Sequence, residues 1–291
     1  MTLASATKHA ALITAAVVFG AAGVMLVRPS WSAAAPPMGG GYTNVIPIPV
    51  NDPAVKEIAG ALFKPQGTGP FPVVVYMPPC GGPNFPPEFQ QEKFVTERLL
   101  SKGVAIFIVD THTPRGENDN CAKFVTVLAD VQNRNQAVLQ LITQGGVDAV
   151  AAVKVVKAMP DIDPKKVFLM GFSAGATAAL YATDPNAPGA HDTSIAGVVA
   201  YYPLCYENAK ASAPTLILIG DKDDWTGPVA ACQALEGKTN FEVLVYPGVT
   251  HSFTMPFEQP FDLAGHHLAY DEAATKQAAE QAEAFIAAHL K

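Results

Sequence analysis

Five residues, Gly171-Phe172-Ser173-Ala174-Gly175, restrict the fold of this chain more than any other stretch. They follow the apolar run Lys166-Val167-Phe168-Leu169-Met170 and lead into the alanine-rich segment from Ala174 to Ala182. The run predicts a short buried strand and the alanine-rich segment a helix. G-x-S-x-G between strand and helix is the pattern of a nucleophile elbow, a turn so sharp that side chains two residues either side of the serine would collide with strand or helix. Ser173 is thereby expected to stand above a sheet at a helix N-terminus, where backbone N–H groups stabilise a developing oxyanion.

The chain has 291 residues, enough for one large α/β domain with a sizeable core. Its net charge is −7 and it contains no run of Lys and Arg, so nothing recommends a nucleic-acid partner. Lys8 and His9 precede an almost unbroken apolar stretch from Ala10 to Val27, and Ser32-Ala33-Ala34-Ala35 follows. That layout predicts an export signal over residues 1–35 with cleavage near Ala34 or Ala35. The length of the stretch and Arg28 just after it fit an uncleaved membrane anchor as the alternative. Either way residues 36–291 are expected to form one domain in a periplasmic or extracellular compartment, and only an uncleaved segment would bring a membrane contact. Oligomeric state is not legible.

Four cysteines, Cys80, Cys121, Cys205 and Cys232, are widely spaced, with no C-x-x-C and no nearby histidine in zinc-site spacing. Of the three possible pairings, Cys80–Cys121 and Cys205–Cys232 are preferred, because each pair lies on loops that neighbouring strands should bring together. On a chain-entropy argument each such bridge stabilises by roughly 3–4 kcal/mol.

Apolar runs predict strands at Val45 to Val50, Ile58 to Phe63, Pro72 to Met77, Val104 to Val109, Ile195 to Tyr201, Thr215 to Ile219 and Phe241 to Tyr246, besides the elbow strand. Helical periodicity covers Pro87 to Lys102, Asp130 to Thr143, Val147 to Ala158, Pro228 to Leu235 and the C-terminal segment, with Gly145-Gly146 separating the second and third. Asp163-Pro164 should turn the chain into the elbow strand. Strands alternating with helices predict an α/β fold with a mostly parallel central sheet covered by helices on both faces.

A serine hydroxyl needs a base, and the base needs an orienting acid. On this architecture the chain order is Ser, then Asp or Glu, then His. One strand end leads into Gly220-Asp221-Lys222-Asp223-Asp224-Trp225, and another into Pro247-Gly248-Val249-Thr250-His251. Among the seven histidines His251 alone has both the chain order and the strand-end position. His191 comes before the acid strand, and His266 and His267 are read as beginning the last helix. Asp223 is the preferred acid, since Gly-x-x-Asp gives the loop room to turn its carboxylate back; Asp224 is the alternative. Ala174 and Cys80 are the expected oxyanion donors, because Pro78 and Pro79 have no N–H; Gly81 stands behind Cys80. His112, Arg115 and Trp225 are candidate substrate contacts; Phe85, Trp225 and Phe253 are read either as apolar lining or as ordinary packing.

These pieces resemble the dienelactone hydrolase family of the α/β-hydrolase superfamily, from about Asn44 to the C-terminus. The resemblance rests on Pro79-Cys80-Gly81-Gly82, Thr113-Pro114-Arg115-Gly116, the elbow, Tyr201-Tyr202-Pro203, GDKDDWT from Gly220 and YPGVTHSF from Tyr246. It implies an α/β-hydrolase fold and hydrolysis of a small ester or lactone without metal or organic cofactor, through Ser173, Asp223 and His251. Arg115 is similar to a family arginine that holds its loop or meets an anionic substrate. The name-giving enzymes carry cysteine at the elbow where this chain has Ser173, which turns the expectation from dienelactone itself toward other esters or lactones. Many relatives carry His-Gly where Pro78-Pro79 stands. The rival expectations are a peptidase or acyltransferase on the same fold, and an exported non-catalytic binding module.

Overall fold

A computed structural model describes residues 35–117, 121, 134–187, 189, 191–206 and 208–290. The expected export segment through residue 34 lies outside them, as does the expected helix start at Asp130. Among the described residues no helix is long and apolar enough to cross a membrane.

In chain order the main elements are β1 Val45–Pro49, β2 Glu57–Phe63, β3 Phe71–Met77, α1 Pro86–Ser101, β4 Ala105–Asp110, α2 Arg134–Lys157 and β5 Ile162–Phe172. They continue with α3 Ala174–Thr183, β6 Gly197–Tyr201, β7 Thr215–Gly220, α4 Val229–Gln233, β8 Phe241–Tyr246, β9 Phe261–Leu263, β10 His266–Leu268 and α5 Glu272–Ala288. Eight strands form one sheet in the order β1-β2-β4-β3-β5-β6-β7-β8. β1 and β2 run antiparallel, and every pairing from β4 across to β8 is parallel. This is the α/β-hydrolase arrangement that the alternation of strands and helices predicted.

Burial explains which strands are central. β4, β6 and β7 are buried at every residue, and their sequences AIFIVD, GVVAY and TLILIG are close to continuously apolar. β8 at the edge is only partly covered, with Glu242 exposed and Val243, Leu244 and Val245 half-buried between buried Phe241 and Tyr246. β3 lies between β4 and β5, so the two crossovers leaving β3 and β4 run in opposite directions along the sheet. Right-handed crossovers then put α1 on one face and α2 on the other. The crevice where the direction reverses opens at the carboxyl end of β3, which is where such sheets bind ligands.

Three readings of the sequence need correction. Gly145-Gly146 does not separate two helices; α2 runs through it to Lys157. A Cβ on Gly145 would lie 2.9 Å from Ala178 Cβ, and one on Gly146 3.0 Å from Tyr181 Cβ. The glycines are where α2 presses against α3, and close packing outweighs their low helix propensity, about 1 kcal/mol each. His266 and His267 do not begin the last helix but form β10, which pairs with β9 in a short hairpin. The last helix starts at Glu272, capped by Asp271 Oδ1 accepting from Ala274 N–H at 2.8 Å. Asp163-Pro164, read as a turn, falls inside β5 at a break in register, where pairing jumps from Phe71–Ile162 to Val73–Val167.

Candidate active site

The elbow geometry follows from two contacts. A Cβ on Gly171 would sit 2.2 Å from Gly175 O, and a Cβ on Gly175 2.2 Å from Met77 O and 2.5 Å from Pro78 O. Only glycine fits either place. Ser173, between β5 and α3, has φ 52° and ψ −114°, a backbone strain of about 1–3 kcal/mol held by the surrounding structure. Its N–H donates to Tyr201 O at 2.9 Å. Ala174 is the first residue of α3, so its N–H has no acceptor within the helix.

Ser173 Oγ lies 2.9 Å from His251 Nε2, and His251 Nδ1 lies 2.8 Å from Asp223 Oδ2. All three residues are buried. Asp223 comes from the turn after β7 and His251 from the turn after β8. Those turns are laced together: Lys222 N–H donates to Val249 O at 2.9 Å and Gly248 N–H to Asp221 Oδ1 at 2.7 Å. A Cβ on Gly220 would lie 2.0 Å from Val249 O, so the two turns touch through backbone. Asp223 Oδ1 also accepts from Trp225 N–H at 3.1 Å, which leaves Oδ2 for the imidazole. Asp224 faces the other way, with its side chain 64% exposed and Oδ1 3.1 Å from His266 Nδ1, outside hydrogen-bond geometry.

The imidazole is enclosed by rings. Trp225 stacks on His251 at 5.9 Å between centroids, and Tyr202 meets it edge-on at 4.8 Å. Tyr202 adopts φ 40° at the end of β6. Its phenol joins Gln91 Oε1 at 3.0 Å and Thr254 Oγ1 at 2.6 Å, and Thr254 Oγ1 donates to Gln91 Oε1 at 2.7 Å. Gln91 Nε2 donates onward to Tyr76 OH at 3.0 Å. This buried network ties α1 to the loop carrying His251. Gln91 and Thr254 escaped the sequence reading, while Tyr202 had a signal in Tyr201-Tyr202-Pro203.

The loop after β3 carries Cys80, bonded to Cys121, and Cys205 is bonded to Cys232. His112 Nε2 lies 3.2 Å from Pro79 O, an acceptor, so that nitrogen carries the proton. Burial pushes the His112 pKa below its ordinary value, which keeps the ring neutral. Gly81 N–H donates to Glu88 Oε1 at 2.9 Å. Burial pushes the Glu88 carboxyl up to about 8, against the pull of the Gly81 and Gly82 N–H groups. Its Oε2 is buried and has no hydrogen-bond partner among the described residues. Glu88 gave no signal in sequence, since an acid in the first turn of a helix reads as a complement to the helix dipole. Cys80, Glu88 and Cys121 are the metal-ligand residue types that gather among the described residues, with ligand atoms within 4.8 Å. Both sulfurs are in the disulfide, and so are not thiolates.

Ser173, His251 and Trp225 line a cavity of about 380 Å³ with Met255, Phe257 and Leu268. Phe85, Phe261 and Leu263 also line it and are exposed. His112 and Arg115 line a neighbouring cavity of about 440 Å³ instead, and Cys80 borders both. Arg115 is tied up by carboxylates: Nη1 and Nη2 bind Asp148 at 2.8 and 3.0 Å, and Nε binds Asp52 at 2.9 Å. Nη1 also donates to Thr111 O at 2.7 Å. The guanidinium therefore joins the segment after β1 to α2. Of the two readings of Phe253, packing is the one observed: it is fully buried against Tyr202 and Tyr246 and belongs to the core.

Residues 58–290 match the model of the dienelactone hydrolase family. A probable 2-oxo-3-(5-oxofuran-2-ylidene)propanoate lactonase from Bradyrhizobium is 26% identical over 220 residues, 69% of this chain and 80% of the relative. Two solved structures share the fold. The dienelactone hydrolase of Anabaena variabilis is 21% identical at a TM-score of 0.58, covering 85% of this chain and 97% of its own. A thermophilic esterase of Thermogutta terrifontis, with propionate bound, is 16% identical at a TM-score of 0.54, covering 84% and 93%.

Proposed function

The chain belongs to the dienelactone hydrolase family, a hydrolase of esters or lactones, and from that premise we propose that it acts through a Ser173 acyl-enzyme. The observation that carries this reading is the hydrogen-bonded line from Ser173 Oγ through His251 to Asp223, at 2.9 and 2.8 Å. As Ser173 Oγ attacks the ester carbonyl, His251 Nε2 takes its proton. Asp223 holds the imidazole in the tautomer with Nδ1 protonated and stabilises the imidazolium that forms. The oxyanion is received by the N–H groups of Ala174 and Cys80. His251 then gives its proton to the leaving alkoxide and takes one from water; the hydroxide so formed adds to the acyl carbonyl, and as the bond to Ser173 Oγ breaks and the acid leaves, His251 returns that proton to Ser173. In a lactone the leaving alkoxide stays attached, and the product is one hydroxy acid.

Substrate class follows from the walls. Trp225, Met255, Phe257 and Leu268 surround the serine with apolar surface, which favours hydrocarbon on either side of the ester. The relatives named as an esterase and a lactonase support small carboxylic esters and lactones as the substrates. Residues 36–291 are proposed to form a single exported domain. Two disulfides fit a non-reducing compartment, and the N-terminal sequence has the layout of an export signal.

Ser173→Ala tests the mechanism. Turnover of a short p-nitrophenyl ester should fall at least about 10³-fold, with the thermal unfolding midpoint preserved. A variant that keeps its turnover overturns the serine mechanism.

A further inference from the structure

We infer that Glu88 and His112 are positioning residues that clamp the two peptide units flanking Cys80, and so aim the Cys80 N–H at the oxyanion. The inference rests on the Ser173 reading above. A trans peptide unit is planar, with its C=O and N–H pointing in opposite directions, so fixing one end fixes the other. The unit that carries the Cys80 N–H ends in the Pro79 carbonyl, and His112 Nε2 holds that oxygen at 3.2 Å. The next unit carries the Gly81 N–H, and Glu88 Oε1 holds it at 2.9 Å. Both planes beside Cys80 are therefore set by side chains from outside the loop.

The same contacts choose between the two candidate donors. Pro78 and Pro79 have none, and the Gly81 N–H is spent on Glu88. The Cys80 N–H makes no hydrogen bond among the described residues. Glycine at position 81 belongs to this design, because a Cβ there would lie 2.5 Å from Glu88 Oε1. The disulfide to Cys121 backs the carboxyl, with a carboxylate oxygen within 4.8 Å of both sulfurs. Gly175 packs on Met77 O and Pro78 O, so the clamped loop abuts the elbow whose Ala174 supplies the other donor. Neither Glu88 nor His112 needs to touch substrate; both act through one amide.

Steady-state kinetics on a short p-nitrophenyl ester, with Glu88→Ala, Glu88→Gln, His112→Ala and Gly81→Ala, tests the clamp. Loss of a whole oxyanion donor costs about 10²–10³ in kcat, so loosening one should cost about tenfold or more. KM should stay within about threefold, because the oxyanion exists only in the transition state. Glu88→Gln keeps an acceptor oxygen and should recover most of the loss. A trifluoromethyl ketone, whose adduct with Ser173 carries an oxyanion, should lose affinity in proportion to kcat/KM. The double variant Glu88→Ala/His112→Ala should lose less than the product of the single losses, since both act on one N–H. Should an alanine at 88 or 112 prevent folding, Gly81→Ala displaces the carboxyl while keeping both side chains, and the same fall in kcat is expected. A kcat within about twofold of wild type in the folded variants, or a loss confined to KM, overturns the clamp. Ser173→Ala separates the two failures. If it is inactive while the clamp variants are fully active, the clamp alone is wrong; if it is active, the serine reading is wrong.

Discussion

Asp223 and Asp224 are neighbours in the chain with opposite surroundings. Asp223 is 3% exposed and divides its oxygens between His251 Nδ1 and the Trp225 N–H, while Asp224 points to solvent. Asp223→Asn would present an amide that disfavours the reactive tautomer of His251, and kcat should fall about 10³–10⁴-fold. Asp224→Asn should leave kcat within about twofold, as surface changes commonly do. Matched kinetics on one ester decides; comparable losses in both would contradict the assignment. At this scale the convergence of Ser173, Asp223 and His251 was legible in the sequence, because chain order and strand ends restrict their positions. It did not reveal Glu88 or Gln91, since which face of α1 turns inward depends on packing. Arg115 was legible as a loop residue, but its carboxylate partners, Asp52 and Asp148, lie far from it in the chain.

The elements were legible wherever burial writes itself as composition. β3, β4, β6 and β7 appear as apolar runs because both their faces are covered, and their ends were right to within about two residues. Gly145-Gly146 misled because glycine signals both a helix end and a close helix contact, and only the position of α3 tells which. Gly145→Leu should therefore destabilise by about 1–3 kcal/mol through overpacking against Ala178. Urea unfolding would read this as a lowered midpoint with an unchanged slope. A midpoint equal to wild type would mean that the two helices do not meet as described. The β9–β10 hairpin was missed since three-residue strands with polar and apolar residues mixed give no periodic signal. It supplies Phe261, Leu263 and Leu268 to the Ser173 cavity, so part of that cavity's wall comes from the segment least readable from sequence.

On the scale of the whole molecule, stability is tied to protons. Glu88 and Glu92 on α1 have carboxyls pushed up to about 8, by burial foremost and for Glu92 also by Asp110. Unfolded, they titrate near 4.3. Between those values the folded chain holds protons that the unfolded chain has released, so this stabilisation is complete below about pH 4 and is lost as pH rises through 8. The unfolding midpoint should be higher at about pH 6 than at about pH 8.5, and Glu92→Gln should flatten that slope. A midpoint rising over that interval, or an unaltered slope in the variant, would contradict the assignment. The layered sheet, its helices and the three-residue line at its rim were foreseeable, because they follow from local pattern and chain order. The clamp on Cys80 was not, since it joins residues from three separate segments. The central claim, that Ser173 is the reacting nucleophile, is tested most directly by treating folded wild-type protein with an organophosphonate and locating the adduct by peptide mass spectrometry. The account predicts one adduct per chain, on the peptide containing Ser173, and none in His251→Ala or in urea-unfolded protein. An unmodified Ser173 peptide in folded protein, or an adduct on another residue, would contradict it.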